Sequence, residues 1–287
     1  MFWVFFFCAL LCAAATPDWD CQNTSAGNYT RAQDCHLASE VILEKGTVMS
    51  ITGRSSITKL TAKSGSRHFR VTNSKLELRL LNLTGGGEST TVLEGGSVFV
   101  TDGQLKVVSC IFSNNYARAA GGAVYCVSGA ACHMGQTTAI GNKAGGGGAI
   151  YAYQPTTQLI LTNVVLSHNE AINDGGALYV SQATANLTKV TLVGNKAKKK
   201  GGGIYGIENA DIRVRQSAFS KNIAQESGAS GRQIWLRDEN TKILLVNTVI
   251  KNHVDDKNNI VIPMSGRRRC DTMPCNIIPF VGACSNM

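Results

Sequence analysis

Past residue 15 the sequence has no apolar run of transmembrane length, so no membrane span is expected in the remainder. It also lacks the short signatures of common chemistries. There is no G-x-S-x-G nucleophile elbow. The glycine run Gly145–Gly148 has no G-K-[ST] after it, which excludes a phosphate loop. The five histidines, His36, His68, His133, His168 and His253, show no H-x-x-x-H or shared spacing, so no metal site and no cofactor is expected. A Ser-His-Asp triad assembles in space and stays open at this level. Charge is scarce too, at 16% of the 287 residues, yet it is one-sided, with 28 Lys and Arg against 19 Asp and Glu. A net charge of +9 suits acidic glycans, anionic surfaces or nucleic acid. No nucleic-acid module is recognisable, which leaves the first two.

What is present begins with MFWVFFFCALLCAAAT, an apolar stretch ending in Ala13-Ala14-Ala15. It reads as a secretory signal over residues 1–15, although no Lys or Arg precedes the apolar part. The other reading is an uncleaved anchor, for which the stretch is short. Cys8 and Cys12 fall inside it and leave eight of the ten cysteines, an even number suited to an oxidising compartment. Four sequons, at Asn23, Asn28, Asn82 and Asn186, are candidate glycan acceptors. The expected location is secreted, extracellular or at the cell surface.

The chain repeats. FSNNYARAAGGAVY, AIGNKAGGGGAIY, LSHNEAINDGGALY, LVGNKAKKKGGGIY and FSKNIAQESGASGRQIW place Asn115, Asn142, Asn169, Asn195 and Asn222 at steps of 27, 27, 26 and 27. Asn252 follows after 30. An apolar residue stands three before each: Phe112, Ala139, Leu166, Leu192, Phe219 and Val249. Two after each come Ala117, Ala144, Ala171, Ala197, Ala224 and Val254. Glycines then precede an aliphatic–aromatic step ending at Tyr125, Tyr151, Tyr179, Tyr205 and Trp235, and Gly95–Phe99 fits the same slot one period earlier.

Between these landmarks lie short alternating runs rich in Thr, Val, Ile and Leu, such as QLKVVSCIF and NLTKVTLVG, which are strand-like. Glycine clusters would break helices. About 27 residues holding three short strands and three turns make one coil of a parallel β-helix. Coils stack about 4.8 Å apart. Equivalent asparagines then lie above one another, and their amides can pair in a ladder at a tight bend. Alanine is small where the chain turns over the interior, and glycine permits positive φ or close approach at the next corner. Phe112, Leu166, Leu192 and Phe219 are expected inside the cylinder, together with the aromatic series from Tyr125 to Trp235.

Repeated F-x-x-N followed by G-G-A-[ILV] resembles the polymorphic outer membrane protein repeat of chlamydial surface adhesins. That repeat lies in the pectin-lyase-like right-handed parallel β-helix superfamily. The resemblance covers residues 95–254, and more weakly 37–94, and implies an all-β, right-handed single-stranded β-helix. The chain departs from the bacterial family in having no C-terminal run that would form an autotransporter barrel.

The expected organisation is a cap or extension over 16–36, a β-helix over 37–262 and a cysteine-containing tail over 263–287. The tail reads either as a small stabilised piece or as the start of a truncated module. Cys21–Cys35 and Cys126–Cys132 are candidate disulfides, with Cys270, Cys275 and Cys284 in the tail. Cys110 falls on the strand face of Phe112 as a buried thiol.

Many carbohydrate lyases and hydrolases share this superfamily. Polygalacturonase-like members carry N-x-D, D-D, G-H-G and R-I-K elements, and here Asp255-Asp256 is a lone D-D without the last two. Asp174, Asp211 and Glu208 occupy different slots of their coils and form no calcium cluster. The recurrent non-structural feature is basic: Arg118, Lys143, Lys198, Lys199 and Lys200 fall between the ladder asparagine and the glycines. Stacked turns would set them in a broken strip, read either as a solvated edge or as a contact for acidic or sulfated polysaccharide. The resulting expectation is an exported non-catalytic module for surface adhesion or matrix and glycan contact, its partner such a polysaccharide or a cell-surface protein. The alternative is a carbohydrate-active enzyme.

Overall fold

The protein is described by a computed structural model covering residues 16–54, 58–87, 92–225, 233–251 and 260–261. The leader over 1–15, Asn252, Val254, Asp255-Asp256, His253 and the tail cysteines Cys270, Cys275 and Cys284 lie outside the described residues.

The described chain is a parallel β-solenoid. Three nine-stranded parallel sheets form its faces, and each coil contributes one strand to each face. Face A runs from Gly27–Arg31 to Lys242–Val246, face B from Cys35–His36 to Val249–Lys251, and face C from Val41–Leu43 to Ile260–Val261. A fourth, narrow sheet joins Lys143–Ala144, Glu170–Ala171, Lys196–Ala197 and Ile223–Ala224 along the bend after face B. Among the described residues there is no helix.

Alternation along each strand decides what goes inside. Face A sends in Leu76, Leu105, Cys132, Leu159, Ala185 and Ile212, each above the last. Face B stacks Leu60, Leu83, Phe112, Ala139, Leu166, Leu192 and Phe219. All seven are fully buried. At about 1.5–3 kcal/mol for a buried Leu or Phe, these columns are the main apolar contribution to the fold. Ala117, Ala144, Ala171 and Ala197 are likewise fully buried at the bend.

One expectation is corrected, and one repeat position is displaced. The aromatic series does not lie inside the cylinder. On face C the column Val98, Val124, Ile150, Leu178, Ile204 and Ile234 points in, so Phe99, Tyr125, Tyr151, Tyr179, Tyr205 and Trp235 point out. The aliphatic residue after the glycines takes the interior, and its neighbour must face the other way. Val249, the apolar residue three before Asn252, does not continue the inward column of face B. Ala218 pairs with Val249 and Phe219 with Ile250, so Ile250 is buried and Val249 is 42% exposed. The step of 30 residues conceals a one-residue slip.

The corners hold a second periodicity that is independent of glycine. Leu80, Ser109, Gln136, Asn163, Lys189, Gln216 and Asn247, between faces A and B, all have φ of 48° to 55°. Asn73, Asp102, Ser128, Gln154, Gln182 and Glu208 do the same between faces C and A, at 46° to 75°. Each left-handed residue turns the chain by one sharp step, and the neighbouring rung holds it there through backbone hydrogen bonds such as Gln136 N–H to Thr162 O at 3.0 Å.

At the N-terminal end, Gly27–Arg31 and Cys35–His36 are strands of the first rung, paired to Val48–Gly53 and Thr58–Thr61. Trp19 lies fully buried against Phe69, ring centroids 6.0 Å apart, and covers the apolar interior. The Cys21–Cys35 disulfide fastens this segment to the rung.

Candidate functional site

The five motif asparagines form a continuous ladder. Asn115, Asn142, Asn169 and Asn195 each donate from Nδ2 to the next Oδ1, at 3.0, 3.0, 2.9 and 2.8 Å. The second Nδ2 hydrogen goes to a backbone carbonyl, those of Leu83, Phe112, Ala139, Leu166 and Leu192 in turn. Each Oδ1 also accepts the backbone N–H of the preceding asparagine, for example Asn142 N–H to Asn169 Oδ1 at 3.0 Å. Two donors and two acceptor positions are thus filled on every interior amide, which is its full capacity. Nothing is left over for a ligand. The ladder starts at the Gly86 N–H, which donates to Asn115 Oδ1, and ends where Asn222 Nδ2 donates to Gln233 Oε1. Gln233 is buried, and sequence reasoning missed it because it stands in the slot that holds Ala or Gly in the other repeats, where no polar side chain recurs.

Each glycine of the pair has its own reason. The first, at Gly121, Gly147, Gly175 and Gly201, has φ of 58° to 69°. The second is barred from a side chain by the adjoining rung: a Cβ on Gly148 would come within 2.2 Å of Gly176 O. Beyond the glycines the aromatic residues stack along the outside of face C. Ring centroids are 5.5 Å apart for Phe99–Tyr125, 5.4 Å for Tyr125–Tyr151, 4.3 Å for Tyr151–Tyr179 and 4.8 Å for Tyr179–Tyr205. Cations close both ends, Arg67 over Phe99 at 5.1 Å and Lys200 over Trp235 at 4.4 Å. Ring faces are spent on neighbours, so the column offers edges and hydroxyls. Those hydroxyls are held neutral. Burial pushes Tyr125 up to about 12, with Glu94 adding to it, and burial likewise raises Tyr151, Tyr179 and Tyr205.

The basic residues are only partly brought together. Lys198 and Lys199 are exposed at one corner, their N–H groups bonded to Ala171 O and Asn173 O of the rung before. Lys200 N–H donates to Asp174 Oδ1 at 3.0 Å, and its ammonium is turned onto Trp235. Arg118 is exposed at the same corner three rungs away, about 14 Å at ordinary strand spacing. Lys143 is on the narrow sheet and meets the Glu170 carboxylate at 3.2 Å, in register with it. That partner is visible only once the register is known.

Face A carries a shallow depression of about 350 Å3 between Asn28 and His133, lined by Lys75, Glu77, Gln104 and Lys106. Glu77 is its single carboxylate, and Arg79 and Lys106 hold it in ion pairs. A hydrolytic pair of carboxylates is therefore not assembled there. No group of three metal-ligating side chains occurs among the described residues.

The structure forms both disulfides that fall on described residues, Cys21–Cys35 and Cys126–Cys132, the latter spanning the turn from face C to face A. Cys110 is a free thiol at 1% exposure, and burial pushes it up to about 12, which removes it from thiolate chemistry. His68 is fully buried. Its Nε2 donates to Leu60 O at 3.0 Å, Nδ1 accepts from Ser97 Oγ at 3.0 Å, and burial lowers it to about 4. Of the sequons, Asn28 is exposed on face A and Asn186 faces outward in the same column. Asn23 Nδ2 is engaged with the Tyr29 hydroxyl, and Asn82 Oδ1 accepts from Ser113 Oγ.

A family model described as the Chlamydia polymorphic membrane protein repeat matches residues 109–127 and 189–207. The two stretches are equivalent in the solenoid. Each carries an inward residue (Phe112, Leu192), a ladder asparagine (Asn115, Asn195), the glycine pair and an outward tyrosine (Tyr125, Tyr205). No curated protein and no solved structure matches the chain.

Proposed function

We propose that this stack of polymorphic membrane protein-type repeats is a surface module that works by contact rather than catalysis, engaging acidic or sulfated polysaccharide. Proteins named for this repeat are membrane proteins, which supports a place at the cell surface for a chain built from it. The observation that carries the reading is the corner at Lys198 and Lys199. Both side chains are exposed, backbone bonds fix where they emerge, and no carboxylate pairs with either among the described residues. Arg118, three rungs along the same corner, adds a separate exposed positive charge that an extended polyanion can also reach.

The test is retention on an immobilised sulfated polysaccharide at moderate salt, where exposed charges are partly screened. Lys198→Glu combined with Lys199→Glu leaves Lys200 on Trp235 and removes the corner charge. The double variant is expected to flow through while the parent is retained, with matching circular dichroism. Equal retention would end this reading.

A further inference from the structure

We propose that Tyr151 and Tyr179 are the site of an oxidative cross-link, a carbon–carbon bond between ortho carbons of the two phenol rings that staples adjacent rungs of face C. The inference is independent of the polysaccharide reading.

The geometry distinguishes this pair from the rest of the column. Tyr151 and Tyr179 are direct register partners in parallel strands, so their Cα atoms face one another across one rung. Their rings are 10° from parallel with centroids 4.3 Å apart, close to van der Waals contact. Tyr125–Tyr151 is tilted by 37° at 5.4 Å and Tyr179–Tyr205 by 42° at 4.8 Å, so neither pair lies as close or as parallel. A Cβ built on Gly146 would lie 3.5 Å from Tyr151 Cε2 and 3.4 Å from Tyr179 Cδ2. The same edge of both rings therefore borders the same glycine, and one of those atoms is an ortho carbon. Both side chains remain partly exposed, in contrast to Tyr205 at 3%.

The chemistry needs an oxidant, and the proposal names one: hydrogen peroxide acting through a haem peroxidase, as an external surface can meet. Each phenol gives up one electron and its hydroxyl proton and becomes a phenoxyl radical, whose spin density resides on oxygen and on the ortho carbons. The two radicals pair to form the carbon–carbon bond. Each ring then moves its ortho hydrogen to oxygen and regains aromaticity. The two electrons and two protons reduce one peroxide to two waters. The sum is two tyrosines and one peroxide giving one dityrosine and two waters. In-register stacking supplies what a free pair lacks, because the partners are already held in contact.

The experiment treats the full chain with peroxidase and limiting peroxide, then maps proteolytic peptides by mass spectrometry alongside dityrosine fluorescence. The expected product is one intrachain peptide pair joining Tyr151 to Tyr179, lighter than the sum of its parts by two hydrogens. Tyr151→Phe and Tyr179→Phe, which keep the ring stack, should each reduce that product to background, and Tyr125→Phe should leave it. Cross-links that map to Tyr116 or Tyr153, or that join separate chains, would overturn the proposal. So would an equal yield of the Tyr151–Tyr179 product from urea-unfolded protein. Should a Phe variant fail to fold, the wild-type map decides alone.

Discussion

Replacing Asn169 by alanine tests the ladder at its centre. The substitution strands two buried donors that now end on Asn169 Oδ1: the Asn142 backbone N–H at 3.0 Å and one Asn142 Nδ2 hydrogen at 3.0 Å. A buried, unsatisfied donor costs about 1–3 kcal/mol, so the pair costs about 4 kcal/mol. Two acceptors also lose a donor each, Ala139 O and Asn195 Oδ1, but the latter keeps the Asn169 backbone N–H and its loss adds less. That total is a large part of the stability of an ordinary domain. Solenoids are held by nearest-neighbour contacts, and the loss should therefore show first as a local opening between the rungs of Asn142 and Asn169. Native-state hydrogen exchange reads this directly. The Asn142 amide should lose protection in the variant, and the Asn195 amide, bonded to Asn222 Oδ1, should keep it. Urea unfolding supplies the magnitude, with Thr191→Ala, a face B residue whose side chain points outward, as the control. If Asn169→Ala unfolds no more readily than Thr191→Ala and the Asn142 amide stays protected, the saturation argument is wrong.

Gly148→Ala should destabilise by upward of about 3 kcal/mol, because the new Cβ meets backbone atoms of the adjoining rung and neither rung has a flexible end to give. Gly135→Ala is its counterpart: the nearest atoms are 3.9 Å away, and thermal unfolding should register a change within about 0.5 kcal/mol. His68 should make the fold acid-sensitive. Its imidazole falls from the ordinary 6.5 to about 4 in the folded state, so the unfolded chain binds the proton first. Its stabilisation is present above pH 6.5 and is lost as pH drops towards 4, by about 3 kcal/mol in all. Urea midpoints compared across that interval should fall for the parent and fall less for His68→Gln; parallel pH profiles would contradict the assignment.

The period, the strand content and the ladder were legible because they depend on repetition, and repetition survives in a single sequence. Asn115 through Asn222 keep their spacing since each amide needs the one above it. The place of the aromatic series was not legible from spacing, because both members of Val124-Tyr125 are apolar and either could face in. Packing decides for valine, and the large ring takes the outside. The left-handed corners were hidden for a different reason. Gln136, Lys189 and Gln216 have nothing in common chemically, and their conformation is imposed by the neighbouring rungs. The basic corner was readable in composition but not in pairing: Glu170 neutralises Lys143 across a register that only the fold supplies. Gln233 was hidden inside the fifth repeat, in a slot where the other repeats carry Ala or Gly, and only the fold shows that it caps Asn222.

All five amides of the ladder point one way, from the Gly86 N–H towards Gln233. Side-chain dipoles in such a file add head to tail, and each bond polarises the next. The rod is therefore electrically directional along its length even where its surface charges balance. Its two ends are chemically unlike, one closing on a donor and the other on an acceptor. A rung can join the file only in one orientation, so the molecule has a built-in sense of up and down.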